Sequence, residues 1–420
     1  MKKILSTLLA VFLITGSPAL SFADVTVDKL INKLVGKGVL SRDEATEILG
    51  ELSQGEQLAS PPQSQQTSEA KISKDELPAW VKSLKPSGDF RLRQEYSKRN
   101  DSTDADRNRG RIRYRLGLNT DINAQTKIGV RIASDGGSPR STNQSLSNTF
   151  AKGNIVLDQA YAEFAPNEQL KLTGGKIVNP YWEPSEFLWD ADITPEGGAL
   201  HFQWPANDAF DIFTNLGTFV VDEIAADESD PFFYFIQPGL QWKLRDQADL
   251  KLAVAFNGFD NGTKQLLDSR SNPATNTVTG DRYDFTYNTI VVGSELGISK
   301  PFKLPIARLS LFGQFIHNPD PSDNNNGWMA GFSLGDQKIK DKGQWKILWN
   351  YHYLGKDAWL DAFPDADSYG GATDVKGSET IFEYGLAKNI WLTLDYYQTR
   401  RITADKAQEK IMQSDLNFKF

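Results

Sequence analysis

Residues 415–420 read Asp415-Leu416-Asn417-Phe418-Lys419-Phe420, and their strict alternation of polar and apolar side chains decides the fold. Residues two apart on a β-strand share a face, so Leu416, Phe418 and Phe420 form one greasy edge, with Asp415, Asn417 and Lys419 behind it. A water-soluble domain rarely finishes on such a strand with a terminal Phe. A transmembrane barrel does, because the last strand closes the cylinder and its end is read by the machinery that inserts it. The rest of the chain is then expected to repeat the pattern in segments of about ten residues.

The amino terminus points to the same compartment. Lys2 and Lys3 precede an apolar run from Ile4 to Ile14, and small residues lead to Ser21-Phe22-Ala23. This is the pattern of a secretory signal peptide over residues 1–23, with cleavage expected after Ala23. The chain contains no Cys, which removes disulfides, thiol catalysis and Cys-ligated metals and excludes a lipoprotein anchor. Beyond Ala23 no stretch reaches the roughly 18 to 20 apolar residues of a spanning helix. A membrane protein without one must be a closed barrel, the other structure that satisfies its own backbone in lipid. The hydrophobic content of 39% is too low for a helical membrane protein, but suits a wall that shows lipid at every second residue. An aromatic share of 11%, with 10 Trp, suits interfacial girdles. The formal charge is -8, about -10 once Lys2 and Lys3 are removed, which argues against nucleic acid as a partner. No motif implies a cofactor or a metal.

Residues 24–53 form a separate unit. Val25, Val27, Leu30, Ile31, Leu34 and Val35 recur at helical spacing until Gly36 and Gly38. Ser41-Arg42-Asp43-Glu44 then reads as a capping box that opens a second helix through Leu52. A periplasmic α-helical hairpin of this size cannot bury a core alone. Two readings follow, an oligomerisation segment or a spacer. Residues 54–85 are a Gln/Ser/Pro-rich linker.

From 86 to 420 the pattern is all-β, with about sixteen segments of the length that a tilted spanning strand needs. Lys251 to Phe256 and Trp345 to Tyr351 alternate most cleanly, whereas 155–165 is mixed on both faces. Connections alternate in length: Asn123-Ala124, Pro166-Asn167-Glu168, Pro205-Ala206-Asn207 and Ala387-Lys388-Asn389 are short, while 135–154, 179–196, 259–285 and 355–377 are long. Short turns on one side and long loops on the other describe an up-and-down, antiparallel transmembrane β-barrel. With both of its ends on the short-turn side the strand number is even, and sixteen fits. Trp204, Trp242 and Trp345 fall at short-turn ends, and Trp328 and Tyr353 at long-loop ends, as the two membrane–water interfaces require.

Parity then orients the charges. In Arg109-Gly110-Arg111-Ile112-Arg113-Tyr114-Arg115-Leu116 the apolar residues fit the lipid face, so Arg111, Arg113 and Arg115 face the lumen. An Arg exposed to lipid near the midplane would cost about 2–4 kcal/mol. The same parity turns Arg91, Arg93, Lys127 and Arg131 inward, which gives three consecutive strands one basic, pore-lining wall. The third long connection, 179–195, carries Glu183, Glu186, Asp190 and Asp192 among Tyr181, Trp182, Phe187, Leu188 and Trp189, and no basic residue. Such a loop would fold inward, anchor on its rings and hold carboxylates across from the Arg rows as a constriction. The alternative is that lumen carboxylates such as Glu95 satisfy the Arg rows and the loop stays outside. Acidic residues also gather at 222–230 and between Asp357 and Asp374, either simply solvated or binding divalent cations that bridge lipopolysaccharide.

Four segments carry a family resemblance: the hairpin KLVGKGVLSRDEATEILGEL, LDQAYAEF at 157–164, LKLTGGKIVNPYW at 170–182 and the final DLNFKF. Together they resemble the "putative porin" family of Gram-negative cell outer membranes. The resemblance implies a β-barrel channel for small hydrophilic solutes and ions, commonly a homotrimer, set in outer-membrane lipid and lipopolysaccharide. Leu416, Phe418 and Phe420 are then the signal read by the barrel assembly machinery. A rival reading is a channel specific for phosphate or another small anion. A barrel that only anchors adhesive loops is a third, weakened by loops of no more than about 25 residues. An enzyme is disfavoured, because only His201, His317 and His352 are available and no G-x-S-x-G or H-E-x-x-H occurs.

Overall fold

The computed structural model describes residues 78–420 except 101–105, 136, 148, 224–229, 246, 261–263, 302–304 and 405–406. The signal peptide (1–23), the helical hairpin (24–53) and residues 54–77 of the linker lie outside the described residues. A single helical turn, Ala79–Lys82, precedes the first strand.

The spanning strands begin with β1 Lys85–Arg99, β2 Arg107–Asp121, β3 Thr126–Asp135, β4 Asn154–Phe164, β5 Leu170–Lys176 and β6 Glu196–Asn207. They continue with β7 Phe210–Val220, β8 Phe232–Arg245, β9 Ala248–Asp260, β10 Thr289–Ser299 and β11 Arg308–His317. The last five are β12 Asn326–Gly335, β13 Trp345–Leu354, β14 Val375–Ala387, β15 Ile390–Arg401 and β16 Gln408–Lys419. Each pairs antiparallel with its neighbours in sequence, and β1 pairs with β16, so sixteen strands close into a barrel. A two-residue strand, Gln144–Ser145, adds to β2 from within a loop.

The C-terminal alternation makes the seam. From Asp89↔Lys419 to Arg99↔Glu409, β16 runs in register along β1. The Phe420 amide donates to the Gly88 carbonyl at 3.0 Å, and the Gly88 amide donates back to Phe420 at 2.9 Å. The rings of Phe90 and Phe418 meet at 5.9 Å and those of Tyr114 and Phe420 at 6.2 Å. Glycine is needed at 88, since a Cβ there would lie 2.5 Å from the Arg115 carbonyl oxygen and 2.6 Å from the Phe420 ring.

The two faces separate as the pattern dictates. Leu92, Tyr114, Leu118, Ile128, Val130, Phe256, Val292 and Phe315 are exposed on the outer surface, and so are Trp204, Trp242 and Trp328 near strand ends. Buried polar residues occupy the inner face: Arg93, Glu95, Arg111, Asn350, Glu379 and Asp415. The mixed faces of β4 have a cause. A register shift against β3, between Arg131 and Ile132, places Asp158 and Gln159 inside together. The apolar core also lies within the cylinder and not around it, centred on Leu188, Phe233, Trp359 and Leu360.

A cation on the outer face tests this orientation. Val130→Arg, in the middle of β3 with the native side chain 37% exposed, should destabilise the barrel by about 2–4 kcal/mol in lipid vesicles. Urea unfolding that shifts by less than the measurement error would contradict the assignment of faces.

Candidate functional site

The inner face of β1 and β2 is where the basic residues gather. Arg91 faces Arg113 and Arg93 faces Arg111 in direct register, a repulsive arrangement unless acids interleave. They do. Asp415 takes both arms of Arg93 at 2.8 Å and lies 3.5 Å from Arg91. Glu95 accepts from Arg109 at 2.6 Å and from Arg111 at 3.0 Å. Asp89 accepts from Arg113 at 3.1 Å and from Arg115 at 2.9 Å. On β3, Lys127 lies 3.5 Å from Glu163, and Arg131 pairs with Asp158. The strands therefore supply most of the counter-charge themselves, and β16 contributes across the seam.

Residues 177–195, between β5 and β6, turn into the cylinder. The aromatic anchors explain why. Tyr181 packs edge-on against Phe235 at 5.0 Å and Trp189 against Phe233 at 5.2 Å, both on the inner face of β8. Gln237 completes the attachment, accepting from the Trp182 amide at 2.9 Å and donating to its carbonyl at 2.7 Å.

A second loop, 355–374, turns inward as well. Trp189 stacks on Phe363 at 4.5 Å, the Trp359 indole donates to the Leu188 carbonyl at 2.8 Å, and the Asp190 amide donates to the Phe363 carbonyl at 2.8 Å. From the loop 136–153, Arg140 donates to the carbonyls of Pro364 and Gly371 at 3.2 and 3.1 Å. This corrects the reading of 357–374 as a solvated acidic surface. Asp361 binds Arg270 at 2.9 Å and the Thr275 amide at 2.6 Å. Asp374 binds Arg401 at 2.6 Å, and Asp357 accepts from Tyr287 at 3.1 Å. These three carboxylates are buried and serve internal hydrogen bonds.

The four acids of the loop 177–195 do different things. Glu183 accepts from the Leu188 amide at 3.2 Å and Glu186 from the Ala191 amide at 2.8 Å, so both brace the loop itself. Asp190 accepts from the Ala366 amide at 2.8 Å and ties the two loops together. Asp192 alone among them reaches the basic face, 3.2 Å from Arg115 and 3.9 Å from Arg113. Carboxylate oxygens of Glu186, Asp190 and Asp365 lie within 4.8 Å of one another. Burial, then repulsion from Asp192, pushes Asp190 up to about 8. Burial, then the charges of Asp365 and Asp190, raises Glu186 well above the ordinary range, and burial, then Asp367 and Asp190, does the same to Asp365. At Asp192 burial works the same way, but Arg113 and Arg115 outweigh it and hold this carboxyl low.

Between these groups lies a polar cavity of about 420 Å³. Arg91, Arg93, Arg111 and Arg113 line one part of it, and Asp365, Glu379 and Asp395 another. Glu379 and Asp395 were not foreseen as site residues. Their signal was present, since Thr380, Phe382, Leu394 and Tyr396 alternate with them on β14 and β15. Of the three histidines, His201 binds Asn215 at 2.6 Å, His317 binds Asn326 at 2.8 Å, and His352 meets Ser368 Oγ at 3.0 Å.

Two outcomes follow from the docking of the loops. Trp359→Ala removes the ring and its hydrogen bond, and should loosen the pair of loops by about 3–5 kcal/mol. Hydrogen exchange in 177–195 should quicken accordingly, and unchanged protection would contradict the packing. The second outcome concerns pH. A raised native pKa means that the docked loops hold protons which undocked ones release above the ordinary 3.8 of Asp and 4.5 of Glu. Docking should therefore weaken as pH climbs from there through about 8. Asp192, held low, works oppositely below 3.8, so docking is firmest in mildly acidic solution. Protection of 355–374, corrected for intrinsic exchange, should fall between about pH 5 and 9, and a flat profile would contradict it.

The family model described as "Putative porin" matches residues 98–292 and 307–420, well over half of the chain. Among solved structures, the high-pH structure of Pseudomonas putida OprB aligns with a TM-score of 0.53 at 11% identity, over 81% of this chain and 95% of that one. Salmonella typhi OmpF in complex with daunomycin aligns with a TM-score of 0.47 at 12% identity, over 80% of this chain and 97% of that one. The outer membrane channel DcaP of Acinetobacter baumannii gives a TM-score of 0.46 at 12% identity, again over 80% and 97%. At these identities the likeness to OprB shows the fold alone. A search of curated proteins finds no match. The family match over both halves of the barrel settles membership: this chain belongs to the putative porin family of outer-membrane β-barrels.

Proposed function

We infer that the barrel lets small hydrophilic solutes and ions diffuse passively across the outer membrane, through an Arg-lined constriction faced by carboxylates. The observation that carries this reading is the cavity bounded by the Arg rows of β1 and β2 and by Asp365, Glu379 and Asp395. The aromatic packing of the two loops fills the β8 side of the lumen, so the polar path runs beside β1, β2, β14, β15 and β16. Fixed charges of opposite sign across a narrow aqueous path create a transverse field. Such a field orients dipolar solutes and favours one ion sign.

An anion- or phosphate-selective channel is the second reading, and one observation favours it. Arg91, Arg93, Arg109, Arg111 and Arg113 line a single cavity, so a passing anion meets a row of guanidinium groups. Against it, carboxylates outnumber cations around the cavity once Glu379, Glu383 and Asp395 are included. An adhesive role draws no support from loops that pack inward. Catalysis by the Ser368–His352 pair draws none either, since the void beside it measures about 10 Å³ and has no room for a substrate. Self-association as a homotrimer, with the hairpin 24–53 as one contributor, belongs to the same proposal. So do recognition of Leu416, Phe418 and Phe420 by the assembly machinery and contact with lipopolysaccharide.

Planar-bilayer recording tests the constriction. Arg113→Ala should shift the reversal potential in a salt gradient toward cations, because Asp89 and Asp192 each lose a partner. An unaltered selectivity and conductance would remove the basic wall from the path. Current that saturates at low phosphate concentration would favour the anion-specific channel.

A further inference from the structure

The outer wall carries cations for which the lumen has no use. Lys98 on β1, Arg400 on β15 and Lys410 on β16 are exposed, and Lys376 on β14 is half-buried. All four share the outward parity of Leu92, Phe382, Leu394 and Leu416 on the same strands. Register sets them side by side. Lys98 stands directly opposite Lys410, and Lys376 opposite Arg400. Across the β15–β16 seam, Gln398 faces Lys410 and Arg400 faces Gln408. Like charges in direct cross-strand register repel each other. Lys98 reaches Asp106 at 3.2 Å, but neither Arg400 nor Lys410 has a hydrogen-bond or ion-pair partner among the described residues.

Their level on the wall is informative. Lys376 faces Tyr353, which faces Trp328, so the cations continue a row of interfacial aromatic residues at the loop ends of the strands. One outward position deeper, Tyr96 and Tyr396 both face Met412, where the apolar band begins. The long-loop end of such a barrel is the extracellular one. The cations thus stand at headgroup level in the outer leaflet.

We propose that Lys98, Lys376, Arg400 and Lys410 form a seat for the phosphate groups of an outer-leaflet glycolipid. The proposal rests on the outer-membrane reading given above. A phosphate is dianionic, accepts from several donors at once and matches the fork of a guanidinium. It supplies Arg400 and Lys410 with an acceptor that no described residue provides, with the amides of Gln398 and Gln408 beside them as further donors. A second copy of this chain fits less well, because Asp106, the acid beside Lys98 among the described residues, is already held by Lys98 and Tyr96.

Native mass spectrometry of the folded, detergent-purified protein tests the seat, with diphosphoryl lipid A and its dephosphorylated form supplied in equal amounts. The wild type should retain the phosphorylated lipid at least about tenfold better, given the strength of Lys and Arg interactions at an anionic surface. Arg400→Ala/Lys410→Ala should lose that preference. Lys388→Ala, on a short turn, should keep it, and so should the wild type in EDTA. Equal retention of the two lipids by the wild type, or an undiminished preference in the double variant, overturns the seat. Loss of binding in EDTA overturns it too, since a bridging metal would then be responsible. A double variant that loses its oligomer but keeps the lipid preference would assign this face to a second copy instead. Because these side chains point away from the lumen, the double variant should conduct like the wild type. A wild type that fails to conduct would count against the channel reading while leaving the lipid result intact.

Discussion

A strand edge inside a bilayer has no water to satisfy it, and the sixteen described spanning strands are arranged so that none keeps a free edge. The pairing of β16 with β1 removes it, ending in the reciprocal hydrogen bonds between Phe420 and Gly88. Closure then constrains side-chain direction, apart from the register shift that turns Asp158 and Gln159 inward together. With a period of two and lipid on one side, each strand has a single orientation that keeps its charges out of hydrocarbon. The Arg rows of β1 and β2 are inside for that reason. Once they are inside and face one another, the acids must follow: Asp89 and Glu95 from β1, and Asp415 from across the seam.

A closed wall of this circumference leaves a wide interior, and the chain narrows it with its own loops. The loops 177–195 and 355–374 do what core helices do in a soluble protein. They bury Trp189, Phe363 and Trp359 against one another and against Phe233. Aromatic rings suit this task because each buries a large area at the loss of few rotamers. The packing is one-sided, so the polar cavity lies against the charged wall.

The barrel was largely legible from the sequence. Alternation gave the strands, the rhythm of short and long connections gave the topology, and the lipid penalty gave the direction of Arg93, Arg111 and Arg113. The inward course of 179–195 was readable from rings that no solvent-facing loop needs. The companion loop hid better. In 355–374 the Asp residues look like solvated surface, and only the fold brings Arg270, Arg401 and buried amides to meet them. The counter-charge of the Arg rows was hidden for a related reason. Asp415 becomes the partner of Arg93 only when the first and last strands are in register. Glu379 and Asp395 needed no such knowledge, since parity alone places them inside.

The protein contains no Cys, so a single introduced thiol can report on the interior. Thr393, on the inner face of β15, lines the polar cavity. The most direct measurement is single-channel current through Thr393→Cys before and after a bulky, water-soluble thiol reagent is added. A water-filled path beside β1 and β15 predicts a stepwise fall in conductance as the adduct forms. A current that stays unchanged while mass spectrometry shows complete labelling would contradict it.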